Sequence, residues 1–158
     1  MDFPKGIEEC GTDALRFTLV GYTEQGRNIN MDINRVVSNR KFCNKIWNAT
    51  KYILSQENIS LDASGDLISS LSKHYNDLRH VDKWMLHKLA TLVQQCNKGM
   101  HSFELHIPVN SLYSFLLYDL CDFYLEYTKF LFYKKYNKYS EEQYKVRIFF
   151  CLTFIHIS

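Results

Sequence analysis

The chain has 158 residues, of which 46% are hydrophobic and 15% aromatic, with two prolines, six glycines and a formal net charge of +2. This length and composition are typical of one globular domain that is poor in helix breakers and large enough to bury a core. The small net charge excludes a uniformly basic surface, so nucleic-acid binding would depend on the local placement of charge.

The cysteine spacing and the two terminal segments indicate the cellular compartment. The five cysteines are widely spread and include no C-x-x-C pair: Cys10, Cys43, Cys96, Cys121 and Cys151. Free thiols in a reducing compartment fit this pattern better than a disulfide framework or a zinc site. The N-terminus lacks the pattern of a signal peptide. The most apolar run, residues 146–157, contains Arg147 and His156 and is too short to span a bilayer. The sequence therefore predicts a cytoplasmic protein without a membrane segment.

The N-terminal region is predicted to be mostly extended, with one helix. Residues 1–11 carry no helical pattern. Thr12 is a suitable N-cap, and apolar residues then continue the helix to about Gly21. Gln25 and Gly26 form a turn signal, and apolar residues alternate with polar ones over residues 29–33, which indicates a short extended segment.

The long helix predicted within residues 28–56 has two contrasting faces. Helical spacing places one set of side chains on a stripe that should enter the core: Val36, Cys43, Trp47, Thr50 and Leu54. The opposite side collects cations and amides: Asn34, Lys41, Asn44, Lys45, Asn48 and Lys51, with Arg35 and Arg40 on its flanks. Lys and Arg neutralise phosphates and Asn can bond base edges, so this side can bind a nucleic acid. A solvated helix surface is the alternative interpretation.

The rest of the chain is predicted to add one short helix and three longer ones. A polar loop over residues 57–72, with a short helix at 67–71, precedes a second long helix over 81–98. A third long helix begins close to Pro108 and continues to about residue 135, and a last helix follows the capping-box sequence at residues 140–143. The sequence therefore predicts an all-α bundle.

No catalytic or metal-binding constellation is evident. The sequence contains no G-x-x-x-x-G-K-S/T, G-x-G-x-x-G, G-x-S-x-G or H-E-x-x-H motif. The three carboxylates at positions 119, 122 and 126 share a helix face, but Lys129 lies one turn beyond them, which indicates ion pairs rather than acid–base chemistry. By itself, the chain is predicted not to be an enzyme.

Several segments together resemble the valyl-tRNA synthetase family of class I aminoacyl-tRNA synthetases. They are FPKGIEECGTDALRF (3–17), YTEQGRNIN (22–30), RKFCNKIWNA (40–49), VDKW (81–84) and LYSFLLYDLCDFYLE (112–126). The N-K-x-W-N signature is also found in the isoleucyl and leucyl relatives, whereas ECGTDALRF and QGRNIN are similar to the valyl branch in particular.

The resemblance implies an antiparallel helix bundle of the class I anticodon-binding type, preceded by a short non-helical N-terminal segment. It implies a junction or stem-contact segment at residues 1–32 and an anticodon-binding bundle at 33–158, truncated at its C-terminus. It implies tRNA(Val) as partner, with catalytic and editing domains upstream. The His-Ile-Gly-His and Lys-Met-Ser-Lys-Ser signatures are absent, so ATP and Mg²⁺ are implied only for the full-length ligase. The family usually has Asp where Asn28 stands.

The same resemblance selects tRNA-binding candidates on the long helix and just before it. They are Arg27, Arg35, Arg40, Lys41, Phe42, Asn44, Lys45 and Asn48. Because proteins read RNA loops by stacking on bases and bonding their edges, Phe42 is the stacking candidate. Asn44 and Asn48 are equally suited to bridging helices, and Trp47 is expected in the core.

Three functions remain open at this stage. The first is the anticodon-binding domain of a valine–tRNA ligase, which is monomeric and positions tRNA for ATP-dependent attachment of valine. The second is a stand-alone helical RNA-binding module without ligase activity. The third is a protein-interaction module that uses its apolar last helix as the contact surface.

Overall fold

A computed structural model of the protein describes residues 6–24, 29–55 and 75–132, and all regular secondary structure in these ranges is helical. The elements are α1 (Thr12–Gly21), α2 (Ile33–Leu54), a 3₁₀ turn (Tyr75–Asp77), α3 (His80–His101), α4 (His106–Ser114), a π-helical segment (Phe115–Tyr124) and α5 (Leu125–Phe132). The all-α prediction is confirmed. The predicted helices at 67–71 and after residue 140 lie outside the described residues.

The α1 helix begins where a glycine permits it. Gly11 occupies the N-cap position with φ of +80°, a left-handed conformation that favours glycine, and no side chain caps this end. Thr12 is thus the first helical residue and not the predicted cap. Residues 12–21 form a helix as their pattern predicts. The non-helical character that the resemblance implies for the junction segment is therefore wrong for residues 12–21.

The α1 helix packs antiparallel on α2 through a buried polar contact and an aromatic contact. The Asn39 amide donates a hydrogen bond of 2.7 Å to the Thr18 hydroxyl, and both residues are buried. The rings of Phe17 and Phe42 lie 5.4 Å apart. Because these contacts join α1 to the bundle, the helical part of the junction segment belongs to the packed structure. The proposed division at residues 32 and 33 stays a prediction.

The α2 helix is rotated relative to the orientation that its pattern predicts. The Asp32 carboxylate accepts a hydrogen bond from the Asn34 backbone at 2.9 Å, and this cap fixes the first turn. The buried residues are Val36, Asn39, Phe42, Ala49 and Ile53. Relative to the predicted stripe, most of the buried side is displaced by about one residue, or roughly 100°.

Two members of the predicted stripe consequently face water. Trp47 is 62% exposed and Leu54 is 52% exposed. Their expected burial is wrong because α2 buries the Phe42 side instead, where the Phe17 ring and the Tyr113 ring contact it. The smaller residues Ala49 and Ile53 lie in the core in place of Trp47 and Leu54.

The α3 helix and residues 106–132 form an antiparallel hairpin. At the start of α3, the carboxylate of Asp82 accepts hydrogen bonds from the Arg79 backbone at 3.0 Å and from the Tyr124 hydroxyl at 2.9 Å. At the other end, a Cβ added to Gly99 would lie 2.5 Å from Cδ of Pro108, so the two helices approach as closely as glycine allows. These contacts place residue 82 beside 124 and residue 99 beside 108.

Residues 106–132 form one continuous helix, as predicted for the third long helix, but its middle part has the wider turns of a π-helix. The backbone N–H of Leu125 donates to the carbonyl of Leu120, five residues earlier, at the end of the π-helical segment. This segment contributes Leu120 and Tyr124 to the core beside Ile53 and Met85. It thereby positions the side chains that face α2 and α3.

Candidate nucleic-acid interface

The outward side of α2 carries most of the predicted cations and amides. Asn34, Lys41, Asn44, Asn48 and Lys51 are exposed, as is Arg40, while Lys45 is half-buried. We call the surface formed by Arg40, Lys41, Asn44, Lys45, Trp47, Asn48 and Lys51 the basic face. It holds four cations and no carboxylate of its own, so it attracts anions such as phosphates.

Lys45 lies at the edge of the basic face and is paired with a carboxylate from the π-helical segment. Its Nζ is 2.5 Å from Oδ1 of Asp122. This hydrogen bond raises the pKa of Lys45 above its ordinary value of 10.5, so the amine is charged at neutral pH. The side chains remain 41% and 51% exposed, so the ion pair is accessible to a competing anion.

Arg35 contributes to the packing between α1 and α2. Its guanidinium lies 4.5 Å from the centre of the Tyr22 ring, a cation–π distance. The Tyr22 hydroxyl accepts a hydrogen bond from the Asp32 backbone at 3.3 Å. Arg35 therefore links the start of α2 to the end of α1. Its half-buried side chain is separate from the basic face.

Phe42 is a core residue, and its prediction as a base-stacking candidate is wrong. Its ring lies between those of Phe17 and Tyr113, with centroid distances of 5.4 and 4.7 Å, and it is 5% exposed. A ring packed in this way has no free surface for a nucleobase.

Trp47 is the aromatic residue that sequence reasoning failed to place on this face. The Lys51 amine lies 5.3 Å from the centre of its ring. The spacing Arg40, Asn44, Trp47, Lys51 is i, i+4, i+7, i+11, which aligns four exposed side chains along one ridge of α2. That spacing is visible in the sequence and could have indicated the exposure of Trp47. Arg27 lies outside the described residues.

The carboxylates that share a face of residues 106–132 take part in ion pairs, as predicted. Asp119 pairs with Lys88 at 3.4 Å, Glu126 with Lys129, and Asp122 with Lys45. Within the described ranges, no three His, Cys, Asp or Glu side chains cluster as metal ligands. None of the described helices has the length and apolar character needed to cross a membrane.

Comparison with known proteins identifies the class. A sequence model of the family described as the anticodon-binding domain of tRNA ligase matches residues 82–157. The valine–tRNA ligases of Rattus norvegicus and Homo sapiens are 47% and 44% identical to the chain over 128 residues, which are 81% of this chain. The mitochondrial valine–tRNA ligase of Macaca mulatta is 42% identical over 129 residues, also 81% of this chain.

The chain belongs to the anticodon-binding domain family of tRNA ligases. Within this family it is similar to valine–tRNA ligases, as the valyl-type segments indicate. The matched region is 10% of the length of the rat and human relatives and 12% of the macaque relative, so the chain spans about a tenth of the curated relatives it matches. No solved structure matches the chain.

Proposed function

We propose that this chain is the anticodon-binding part of a valine–tRNA ligase and that the basic face of α2 is the surface that meets the tRNA anticodon loop. The observation that carries the proposal is the outward orientation of this cationic, amide-bearing face in a chain that belongs to an anticodon-binding family. Membership of that family favours a ligase domain over a stand-alone RNA-binding or protein-interaction module.

The basic face offers the two kinds of group that RNA-loop recognition needs. Arg40, Lys41 and Lys45 supply charge for phosphates, and the amides of Asn44 and Asn48 can donate to and accept from base edges. Both amides are exposed, which favours contact with a ligand over bridging between helices.

The basic face belongs to a helix whose opposite side is packed, so RNA binding would require little reorganisation of α2. Phe42 and Ile53 anchor the opposite side of α2 in the core. A preorganised surface loses less conformational entropy on binding than a mobile one.

The whole protein is proposed to attach valine to tRNA(Val) in an ATP-dependent reaction, because the relatives are valine–tRNA ligases. The catalytic and editing domains, with the sites for ATP and Mg²⁺, are assigned to other parts of such a ligase. Neither of the two class I signature motifs occurs in this sequence, so none of its residues is given a catalytic role.

Two further properties are proposed with the function. The cytoplasm is the proposed compartment, supported by the free cysteines of the described residues, which fit a reducing compartment. A monomer is the proposed state. Imaging of a tagged full-length protein tests the first, and sedimentation equilibrium of the chain tests the second.

The direct test is a binding titration of the 158-residue chain against valine tRNA and against the same tRNA with a changed anticodon. Binding should be tighter for the valine anticodon, and it should weaken steeply with salt because the cations displace counterions from phosphates. Equal binding of both tRNAs, or no binding at low salt, would contradict the proposal.

A further inference from the structure

We infer that Trp47 is a stacking platform for an unpaired nucleobase and that the Trp47–Lys51 pair forms a base-and-phosphate subsite on the basic face. This inference rests on the proposed function, since it names the group that would hold a base of the RNA loop. It replaces Phe42, which the structure places in the core.

The accessibility of the indole is the first argument. Trp47 is 62% exposed although it lies in the middle of a 22-residue helix whose other side is packed. Single exposed apolar side chains are common on protein surfaces, so exposure alone decides nothing. An exposed indole becomes informative when its neighbours select one class of ligand.

The cations around the indole favour a nucleic acid as its ligand. Lys51 lies one turn after Trp47, with its amine 5.3 Å from the ring centre, and Arg40 lies about two turns before it on the same ridge. The two cations are thus separated by about 16 Å along the helix axis, with the indole between them. An apolar protein partner would have to bury these charges, whereas a nucleic acid brings phosphates to neutralise them.

The chemistry of the ridge fits a base more closely than it fits a phosphate alone. Nucleobases in single-stranded loops stack on aromatic side chains, and every base has a ring face that can do so. The amide of Asn44, three residues before Trp47 and exposed, can reach the edge of a base lying on the indole. Lys51 can then bind the adjoining phosphate.

The test uses the 158-residue chain and two labelled RNA hairpins. One hairpin carries the valine anticodon loop, and the other has the loop bases removed while the sugar–phosphate backbone is kept. Trp47→Ala should weaken binding of the intact hairpin roughly 5- to 150-fold, the range expected for loss of one base stack. It should have little further effect on the abasic hairpin. Trp47→Phe should retain most of the affinity.

The salt dependence of RNA binding distinguishes the charge contribution of Lys51 from the stacking contribution of Trp47. Trp47→Ala should leave the slope of log K against log salt unchanged, whereas Lys51→Ala should reduce it by about 0.7, the value for one contact with a single strand. Phe103→Ala is the matched control, because Phe103 is an 86% exposed aromatic residue in the turn between α3 and α4. That variant should bind both hairpins as the unaltered chain does.

The possible outcomes distinguish this inference from the proposed function. Tight binding of the intact hairpin by both the unaltered chain and Trp47→Ala would overturn the stacking assignment and leave anticodon binding intact. Absence of hairpin binding by the unaltered chain would overturn both. Loss of self-association in Trp47→Ala, with unchanged RNA binding, would overturn the inference and assign the indole to a protein contact.

Discussion

Lys45 of α2 and Asp122 of the π-helical segment form an ion pair of 2.5 Å at the edge of the basic face. The pair ties the proposed RNA-binding helix to its neighbour and at the same time occupies one of the cations that could meet a phosphate. Because both side chains are partly exposed, the pair should add little to stability and should compete with RNA.

Removal of the carboxylate should therefore strengthen RNA binding. In Asp122→Asn, Lys45 is free to neutralise a phosphate, so the salt dependence of tRNA binding should become steeper by about 0.7 to 0.9 in log–log slope. The free energy of unfolding should change by no more than about 1 kcal/mol. Asp119→Asn, which removes the carboxylate paired with Lys88, is the control and should leave binding unchanged. Weaker binding by Asp122→Asn would show that the pair positions Lys45 rather than competing for it.

Loss of cations from the basic face should weaken binding of all tRNAs. Arg40→Ala and Lys41→Ala each remove one phosphate contact, and each should reduce the log–log salt slope by about 0.7 to 0.9. Lys98→Ala, at the exposed end of α3, is a charge-matched control. If the two α2 variants bind valine tRNA as the unaltered chain does in a gel-shift titration, the assignment of this face is wrong.

The buried contact between α1 and α2 should matter for stability. In Thr18→Val the amide of Asn39 loses its acceptor in a buried site, which should cost about 1 to 3 kcal/mol in the free energy of unfolding. Urea denaturation of Thr18→Val, Asn39→Ala and the double variant measures the loss of unfolding free energy in each. The losses of the two single variants, added together, should exceed the loss of the double variant by about 1 kcal/mol. Strict additivity of the losses would contradict the contact.

Close packing of α3 on α4 should make Gly99 sensitive to an added methyl group. Alanine is favoured over glycine in a helix by about 1 kcal/mol, but a Cβ at this position would lie 2.5 Å from the Pro108 ring. The clash should dominate, so Gly99→Ala should lower the free energy of unfolding by about 1 to 3 kcal/mol. Gly21→Ala is the matched control, because its nearest contact would be an ordinary 3.4 Å to Val109. A stabilised Gly99→Ala chain would contradict the described approach of the helices.

Alkaline pH should destabilise the fold through the buried thiol of Cys121. Burial raises the pKa of this thiol above its ordinary value of 9.0, so the folded state holds the proton more tightly than the unfolded state. Stability from this group is complete below about pH 9 and falls as pH rises toward the folded pKa. Urea midpoints at about pH 7 and about pH 10 should therefore differ less for Cys121→Ala than for the unaltered chain. Cys10→Ala should keep the full difference.

The sequence pattern predicts which helices form better than it predicts how they are rotated. Turn residues and periodicity locate α1, α2, α3 and the helix that begins near Pro108, because these signals are local. The rotation of α2 depends on which side its neighbours contact, and the Phe17 and Tyr113 rings contact Phe42 rather than Trp47. The apolar periodicity of α2 does not contain that information.

The same difference between local signals and long-range contacts holds for the candidate site. The exposure of Lys41, Asn44 and Asn48 follows from helical spacing, so it could be predicted. The pairing of Lys45 with Asp122 joins residues 77 positions apart on two different helical elements. Long-range contacts of this kind need the folded structure.

The most direct test of the central claim is an NMR titration of the isotope-labelled chain with an RNA hairpin that carries the valine anticodon loop. The largest chemical-shift changes should fall on residues 40–51, including the indole N–H of Trp47, and should be much smaller on α1 and on the turn between α3 and α4. Changes concentrated on another surface, such as the Trp84–Phe123 contact between α3 and the π-helical segment, would contradict the account.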